Sequence, residues 1–586
     1  MIVWETVYIS ELMKNVKDSS DEDESENEIV KESSSPTNSF TYFSYDDLPE
    51  ETYRYQYLTV GPRISPFLLK DEFFYSSSTN SRQVVMNLIF NGKEINIRCP
   101  FQTATTLSSE VSHFYSHNSD DTVYSKEIEI DEFQYTDKSF NLIYNLFRGE
   151  KVQIRQDNVE LLKAISKILG ISELSHFIHS YESELSSIES FISKNSELID
   201  ELKQIEEVFL NLSFNSFVNA KLKILNSKLI TTNDGIDEIV TTAISSSVWN
   251  PNSIELLVEL CLTLSNYASS ENKLDQLIPK ISSTLLSRFD PNFHFLIFKF
   301  FDLGFISDKN LRQALRYYKN DLMYCYFAPE VEKMDHDIIT SIIGVSKMAI
   351  KPKWLDSFIN DLPQLRDNNW ELHKRLRKNG RNHYDIYNVI LEDDLNQLQT
   401  MLSKMDFNYD YELPNSIFDR SFNFFRENSK STKTPLIELT AFHNSPKCFK
   451  HFFINKAKVP ENIARYAVAG GNIEIIHLLQ RFNRDVDEFQ LDLSLPKKID
   501  FNPAIEISAR MMKNHLLKWL WEEFPIDSVN LHTSLIEASK YSNLDGMLYC
   551  LLQGVDINSI GTYGSSFIFI FHLFSTFLLS TILLKH

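Results

Sequence analysis

Length, composition and charge exclude several classes of protein. The chain has 586 residues, 43% of them hydrophobic, and a formal net charge of −22 at pH 7. One domain typically takes about 100–200 residues, so this length is enough for several domains with sizeable cores. An acidic chain without a basic stripe repels a phosphate backbone, so we expect no nucleic-acid binding.

The amino-acid composition favours a helical protein in a reducing compartment. The chain has only 14 glycines but 43 phenylalanines, which argues for helices joined by short polar links. Its five cysteines are odd in number and far apart, so they indicate no disulfide framework. The N-terminus lacks the charged start and apolar run of a signal peptide. We therefore expect a cytoplasmic protein with free cysteines.

The first 82 residues contain two segments that precede the first domain. Residues 1–50 hold 13 acidic residues against three lysines, together with few apolar groups. Such a segment buries too little apolar surface to offset its chain entropy, which predicts a disordered acidic tail. Residues 51–82 are rich in aromatic side chains, and we interpret them as a strap on the next domain.

An α+β pattern occupies residues 83–180. The apolar run Val84–Phe90, the dipeptide Asn91-Gly92 and the alternating segment Ile95–Ile97 predict a β-hairpin. A helical stretch, a second alternating strand at Ile128–Ile130 and several further helices follow. This order predicts one compact α+β domain.

The same region resembles a BTB/POZ domain. The resemblance lies in the hairpin Asn91–Glu94 (NGKE), in Asp137–Glu150 (DKSFNLIYNLFRGE) and in Asn158–Leu174 (NVELLKAISKILGISEL). Phe101 and Leu107 stand for two positions of the family's F-x-x-H-x-x-x-L-x-x-x-S stretch, whereas its histidine is absent. The resemblance implies a homodimer and the docking of a cullin scaffold, although neither contact surface can be mapped onto individual residues.

Residues 181–380 are predicted to be a helical region. The apolar positions of Glu182–Leu210 alternate by three and four residues, which fits an amphipathic helix packed on the protein itself or a coiled-coil seam. A coiled coil of three heptads at most is short, which favours the first interpretation. Asn250-Pro251 and Asp290-Pro291 mark helix starts, because proline there presets φ without losing a hydrogen bond.

Helical pairs with a recurring layout occupy residues 381–560. Ala467–Leu479 (AVAGGNIEIIHLL) and Thr533–Asn558 contain small residues, then an asparagine, then a pair of leucines, and the second ends at Gly554. Both segments resemble ankyrin repeats, with Ser534 in place of the usual proline, and three less regular pairs lie near them. The resemblance implies a divergent solenoid that binds other proteins through its concave face and turns.

The last residues break this pattern. Residues 565–584 are apolar, carry no formal charge, and approach the ~20 residues that cross a bilayer core, which indicates a transmembrane tail anchor. Two other interpretations are open. The segment is a buried terminal helix, or it is the aberrant end of a mispredicted or truncated gene whose true continuation is more ankyrin repeats.

We find no motif for catalysis, cofactors or metals. The sequence has no glycine-rich phosphate loop, no G-x-S-x-G and no H-E-x-x-H. His113 with His117, and Cys448 with His451, are pairs that lack a third ligand at a recognisable spacing. We therefore predict no catalytic, cofactor-binding or metal-binding residues and no enzyme.

Together these patterns predict a mainly α protein in which a small α+β BTB-like domain is followed by a helical, ankyrin-like solenoid. The favoured function is a non-enzymatic adaptor for protein–protein interaction, extended by the BTB resemblance to a ubiquitin-ligase substrate adaptor. The alternative is a membrane-tethered ankyrin scaffold with no ubiquitin link. A third hypothesis is an enzyme hidden in residues 211–380.

Overall fold

The structure, a computed structural model, describes residues 83–90, 93–118, 122–128, 137–149, 152, 154–334, 353–403, 408–428, 432–488, 498–524 and 528–555. The predicted acidic tail, the aromatic strap and the apolar segment 565–584 lie outside these residues. Within them the fold is mainly α with a small sheet near the N-terminal end, which confirms the predicted fold class.

The elements form three groups that follow one another along the chain. The α+β part contains β1 (Gln83–Phe90), β2 (Lys93–Pro100), α1 (Phe101–Leu107), α2 (Ser109–His117), β3 (Tyr124–Ile128), α3 (Asp137–Arg148), α4 (Val159–Ile168) and α5 (Ser172–Lys194). The middle helical block contains α6 (Ser196–Leu210), α7 (Phe217–Leu225), α8 (Asn233–Trp249), α9 (Ile254–Ser265), α10 (Leu277–Arg288), α11 (His294–Asp302), α12 (Asp308–Tyr318), α13 (Asp321–Tyr326), α14 (Ala328–Met334) and α15 (Lys353–Asn379).

The third group is an array of five helical pairs, each with an inner and an outer helix. The inner helices are α16 (Asp385–Leu391), α19 (Leu436–Phe442), α21 (Ile463–Gly470), α23 (Ala504–Arg510) and α25 (Ser528–Lys540). The outer helices are α17 (Leu395–Ser403), α20 (Pro446–Ile454), α22 (Ile473–Glu488), α24 (Asn514–Glu523) and α26 (Leu544–Leu552). Between the first two pairs lie β4 (Glu412–Pro414), α18 (Phe422–Asn428) and β5 (Lys433–Pro435).

The small sheet has the strand order β2-β1-β3, with β1 antiparallel to β2 and parallel to β3. Alternate side chains of β1 are buried, as the period of two requires. The third strand begins earlier than the sequence indicated. It runs over Tyr124–Ile128 because Tyr124 and Ile128 both enter the core, whereas Ile128 was expected to open the strand. The α+β part has a hydrophobic core of its own.

One backbone conformation recurs in all five pairs. A residue with positive φ lies two positions before each outer helix, and these residues are Asp393, Asn444, Gly471, Met512 and Ser542. Such a residue ends the inner helix and reverses the chain, as a left-handed residue commonly does. Successive inner helices then pack on one another. At Gly470 the approach is so close that a Cβ would lie 2.1 Å from the carbonyl oxygen of Ala441.

The first two pairs are separated by an insertion that joins the array to the middle helical block. We call residues 415–428, which leave β4 and end with α18, the inserted segment. β4 and β5 pair antiparallel on either side of it. Its buried side chains reach both parts of the molecule: Phe422 lies 5.9 Å from Trp354 in α15, and Phe424 lies 4.6 Å from Phe442 in α19, between ring centroids.

Polar contacts of the inserted segment strengthen the same junction. Arg420 donates hydrogen bonds to the carbonyl of Pro251 at 3.1 Å and to the carboxylate of Glu255 at 2.5 Å. Nε2 of His294 lies 3.1 Å from the carbonyl oxygen of Asp419. As a result, one continuous hydrophobic core extends through the middle helical block and the array.

The other end of the array is tied to the α+β part and the first helices of the middle helical block. The guanidinium of Arg155 stacks 4.0 Å from the ring centre of Trp521 in α24 and donates to its carbonyl. The buried carboxylate of Glu206 accepts a hydrogen bond from the backbone N–H of Leu544 at 2.9 Å. These contacts hold the α+β part and α6 against the last two pairs.

We predict that Phe422→Ala destabilises the middle helical block and the array together. Phe422 is 1% exposed, and truncating such a ring leaves a cavity that typically costs about 3–5 kcal/mol. Urea denaturation followed by tryptophan fluorescence measures this loss. Ile454→Ala is the matched control, because Ile454 is 74% exposed and its truncation should change stability by less than about 0.5 kcal/mol. Equal midpoints for the two variants would contradict the joint core.

Candidate protein-interaction groove

A large cavity lies where the loops that precede successive inner helices line up. Its volume is about 1380 Å³, and it is lined by residues from 409–412, 433–438, 456–465 and 500–503 together with the end of α18. Loops of consecutive pairs therefore form one continuous groove. Its length across several pairs suits an extended polypeptide better than a compact small molecule.

A buried carboxyl group forms part of the groove lining. Glu438 in α19 is 3% exposed, although the rest of its helix is apolar except for Thr440. Burial raises the pKa of Glu438 to about 8, the nearby hydroxyl of Tyr466 opposes the rise, and the charge of Glu412 adds to it. At neutral pH this carboxyl is therefore largely protonated and can donate as well as accept a hydrogen bond.

Ion pairs behind the groove hold the inserted segment against the inner helices. Arg510 in α23 lies 2.7 Å from Glu427 in α18 and 2.6 Å from Glu537 in α25. Arg465 in α21 donates to the side-chain oxygen of Asn428 at 2.9 Å. Only 12% of the Arg510 side chain is exposed, and removing one member of such a pair is destabilising, so these contacts fix the end of α18 against the inner helices.

The rim of the groove carries charges of both signs. Its exposed charged residues are Asp410, Glu412, Lys433, Lys456, Lys458, Glu461 and Asp500. Exposed charges of this kind contribute more to partner choice and association rate than to affinity. The rim therefore fits a polypeptide with interspersed charges.

The histidine and cysteine pairs of the sequence occupy different environments. The rings of His113 and His117 are 4.7 Å apart on the surface of α2, where Nδ1 of His117 contacts the carbonyl of His113. Cys448 is buried, and burial raises the pKa of its thiol to about 12. His451 packs its ring against Tyr409 instead. Among the described residues, no three His, Cys, Asp or Glu side chains are grouped to hold a metal ion.

Comparisons with known proteins place the chain in no family. No protein-family model matches it, and no curated protein matches it significantly. In the part of the chain that the structure describes, no helix has the length and apolar character required to cross a bilayer. The apolar segment 565–584 lies outside that part.

Sequence reasoning did not identify Glu438 or the groove. The available signal was a glutamate inside the apolar run Leu436–Phe442, where an inner helix packs against neighbours on several sides. The groove itself depends on loops from four places in the chain, and their alignment follows only from the stacking of the pairs.

We predict that Glu438→Gln changes the pH dependence of stability. Because folding raises the pKa of Glu438 from 4.5 to about 8, its contribution to stability is fully present below about pH 4.5 and is lost as the pH rises through about 8. The amide cannot ionise. The Tm of the variant relative to the unsubstituted protein should therefore increase steadily between about pH 5 and pH 8.

Thermal unfolding across this pH range measures the difference. Glu271→Gln, at an exposed loop position of the middle helical block, is the control and should leave the Tm profile unchanged. A Tm profile for Glu438→Gln that runs parallel to that of the unsubstituted protein would contradict the assignment.

Proposed function

We propose that the protein is a non-enzymatic adaptor that binds an extended segment of another protein in the groove of its array. The observation that carries this proposal is the groove, which spans several pairs and has a wall already fixed by Arg510 and Arg465. A rigid surface loses little conformational freedom on binding, so more of the interaction energy appears as affinity. The ankyrin resemblance of the same pairs supports the proposal.

The position of the α+β part extends the proposal. Arg155 and Trp521 clamp this part to the array, so a protein bound to it would be held at a fixed distance from a target in the groove. Such a fixed geometry suits an adaptor that presents a target to a second protein. The BTB resemblance implies that this second protein is a cullin scaffold or another copy of the chain, and a cullin would make the output ubiquitin transfer.

A membrane-tethered scaffold without a ubiquitin link is the second proposal. It rests on the uncharged apolar segment 565–584. A soluble reporter fused to residues 560–586 should pellet with membranes and resist carbonate extraction if the segment is an anchor. A reporter that stays in the supernatant would remove this proposal.

We predict that Glu412→Lys weakens target binding in the groove. Glu412 is exposed on the groove rim, and its charge acts on Glu438, so a lysine there would place an ammonium against the groove lining. The full chain is expressed in its native cell, and co-purified proteins are quantified. The co-purified amount of the proteins that bind in the groove should fall severalfold in the variant.

Glu271→Lys is the matched control, since it makes the same charge change at an exposed site outside the groove. An identical set of co-purified proteins from Glu412→Lys and Glu271→Lys would contradict the proposal. Absence of any cullin from all samples would remove the ubiquitin link while leaving the adaptor proposal in place.

A further inference from the structure

A second cavity lies where the middle helical block meets the turns of the array. We call it the junction cavity, and its volume is about 300 Å³. One wall consists of Trp249–Asn252 and of Gly380 with Arg381. The facing wall consists of the inner-to-outer turns of three consecutive pairs, represented by Asn444, Gly470 and Lys513.

Lys513 differs from the residues at the same place in three of the other pairs; Ser445 of the second pair also makes no capping hydrogen bond. The residue just before each outer helix is Asp394, Ser445, Asn472, Lys513 and Asn543 in turn. Asp394, Asn472 and Asn543 accept a hydrogen bond from the first turn of their helix, as good N-cap residues do. A lysine cannot accept that bond, and its positive charge opposes the helix dipole at this end. Helix stability therefore gives no reason for Lys513.

The side chains that line the junction cavity carry a net positive charge, although the protein as a whole is strongly acidic. The charged lining residues are Arg381, Arg420, Lys513 and one acid, Asp419, and the guanidinium of Arg420 is already paired with Glu255 outside the cavity. That acid is already engaged, because its carboxylate accepts from the backbone N–H groups of Ser421 at 2.8 Å and Asn382 at 3.3 Å. Burial lowers the pKa of the Lys513 ammonium, and no carboxylate offsets this effect.

Unused hydrogen-bonding nitrogens line the same space. Nε of Arg420 and Nε2 of His443 are both shielded from solvent and have no hydrogen-bond partner within the described residues. The Lys513 side chain lies along Gly471, where an added Cβ would be 3.1 Å from its Cε. Buried nitrogens of this kind are normally satisfied by a partner, an ordered water or a ligand. A ligand that accepts several hydrogen bonds at once would satisfy them.

We propose that the junction cavity binds a small phosphate-bearing anion, held by Lys513, Arg381 and the Nε–H of Arg420. Phosphate oxygens accept hydrogen bonds from lysine and arginine side chains. The cavity volume is at the lower end of the range for ligand sites, which suits inorganic phosphate or a small phosphate ester. Because both walls contribute, the bound anion would tie the middle helical block to the array.

The test measures phosphate binding by the purified full chain. Isothermal titration calorimetry and thermal unfolding are run with sodium phosphate, pyrophosphate and a sugar phosphate, against sodium chloride at equal ionic strength. The unsubstituted protein should bind one anion per chain, and its Tm should rise with anion concentration. The relative affinities distinguish free phosphate from an ester as the natural source.

Lys513→Met and Arg381→Met should each weaken binding at least tenfold. Arg381 is exposed, so its substitution should leave the fold intact. Arg381→Met therefore still tests the proposal if Lys513→Met fails to fold. Lys447→Met is the matched control, because Lys447 is exposed on the neighbouring outer helix and does not line the cavity; it should bind as the unsubstituted protein does. Absence of binding by the unsubstituted protein, or unchanged binding by both cavity variants, would overturn the proposal.

Discussion

The inserted segment is the constraint on which the rest of the molecule depends. It buries five apolar side chains between the middle helical block and the array, namely those of Ile417, Phe418, Phe422, Phe424 and Phe425. Each such burial is worth about 1.5–3 kcal/mol, so the segment contributes on the order of 10 kcal/mol. A whole domain is typically stable by only about 5–15 kcal/mol. The segment is therefore an integral part of the core.

This constraint decides which surfaces of the array remain open. The inserted segment covers part of the inner helices, and the middle helical block packs near the inner-to-outer turns. The groove on the loop side stays open, with α18 and its ion pairs as one wall. The same packing leaves two polar sites with different character, since the groove carries charges of both signs and the junction cavity is cationic. The two cavities share no lining residue, so occupation of one would leave the other open.

Local sequence signals predicted helices and strands, whereas the long-range contacts between them could not be predicted. Asn250-Pro251 and Asp290-Pro291 correctly marked helix starts, since each proline begins a short 3₁₀ turn that leads into a helix. Asn91-Gly92 correctly separated β1 from β2. The role of the inserted segment, by contrast, could not be predicted. Its sequence is an ordinary aromatic-rich stretch, and the partners of the Arg420 side chain lie more than 160 residues away. The role of Glu438 was likewise hidden, since its burial depends on neighbouring helices.

Hydrogen exchange at the inserted segment tests the central claim most directly. If the segment is a permanent part of one core, the backbone amides of α18 exchange only through global unfolding. Their protection in native-state exchange followed by mass spectrometry should then fall with urea as steeply as that of the inner helices α19 and α21. If the α18 amides instead exchange through a local opening, their exchange will be insensitive to urea while the inner helices remain protected. That result would contradict this account.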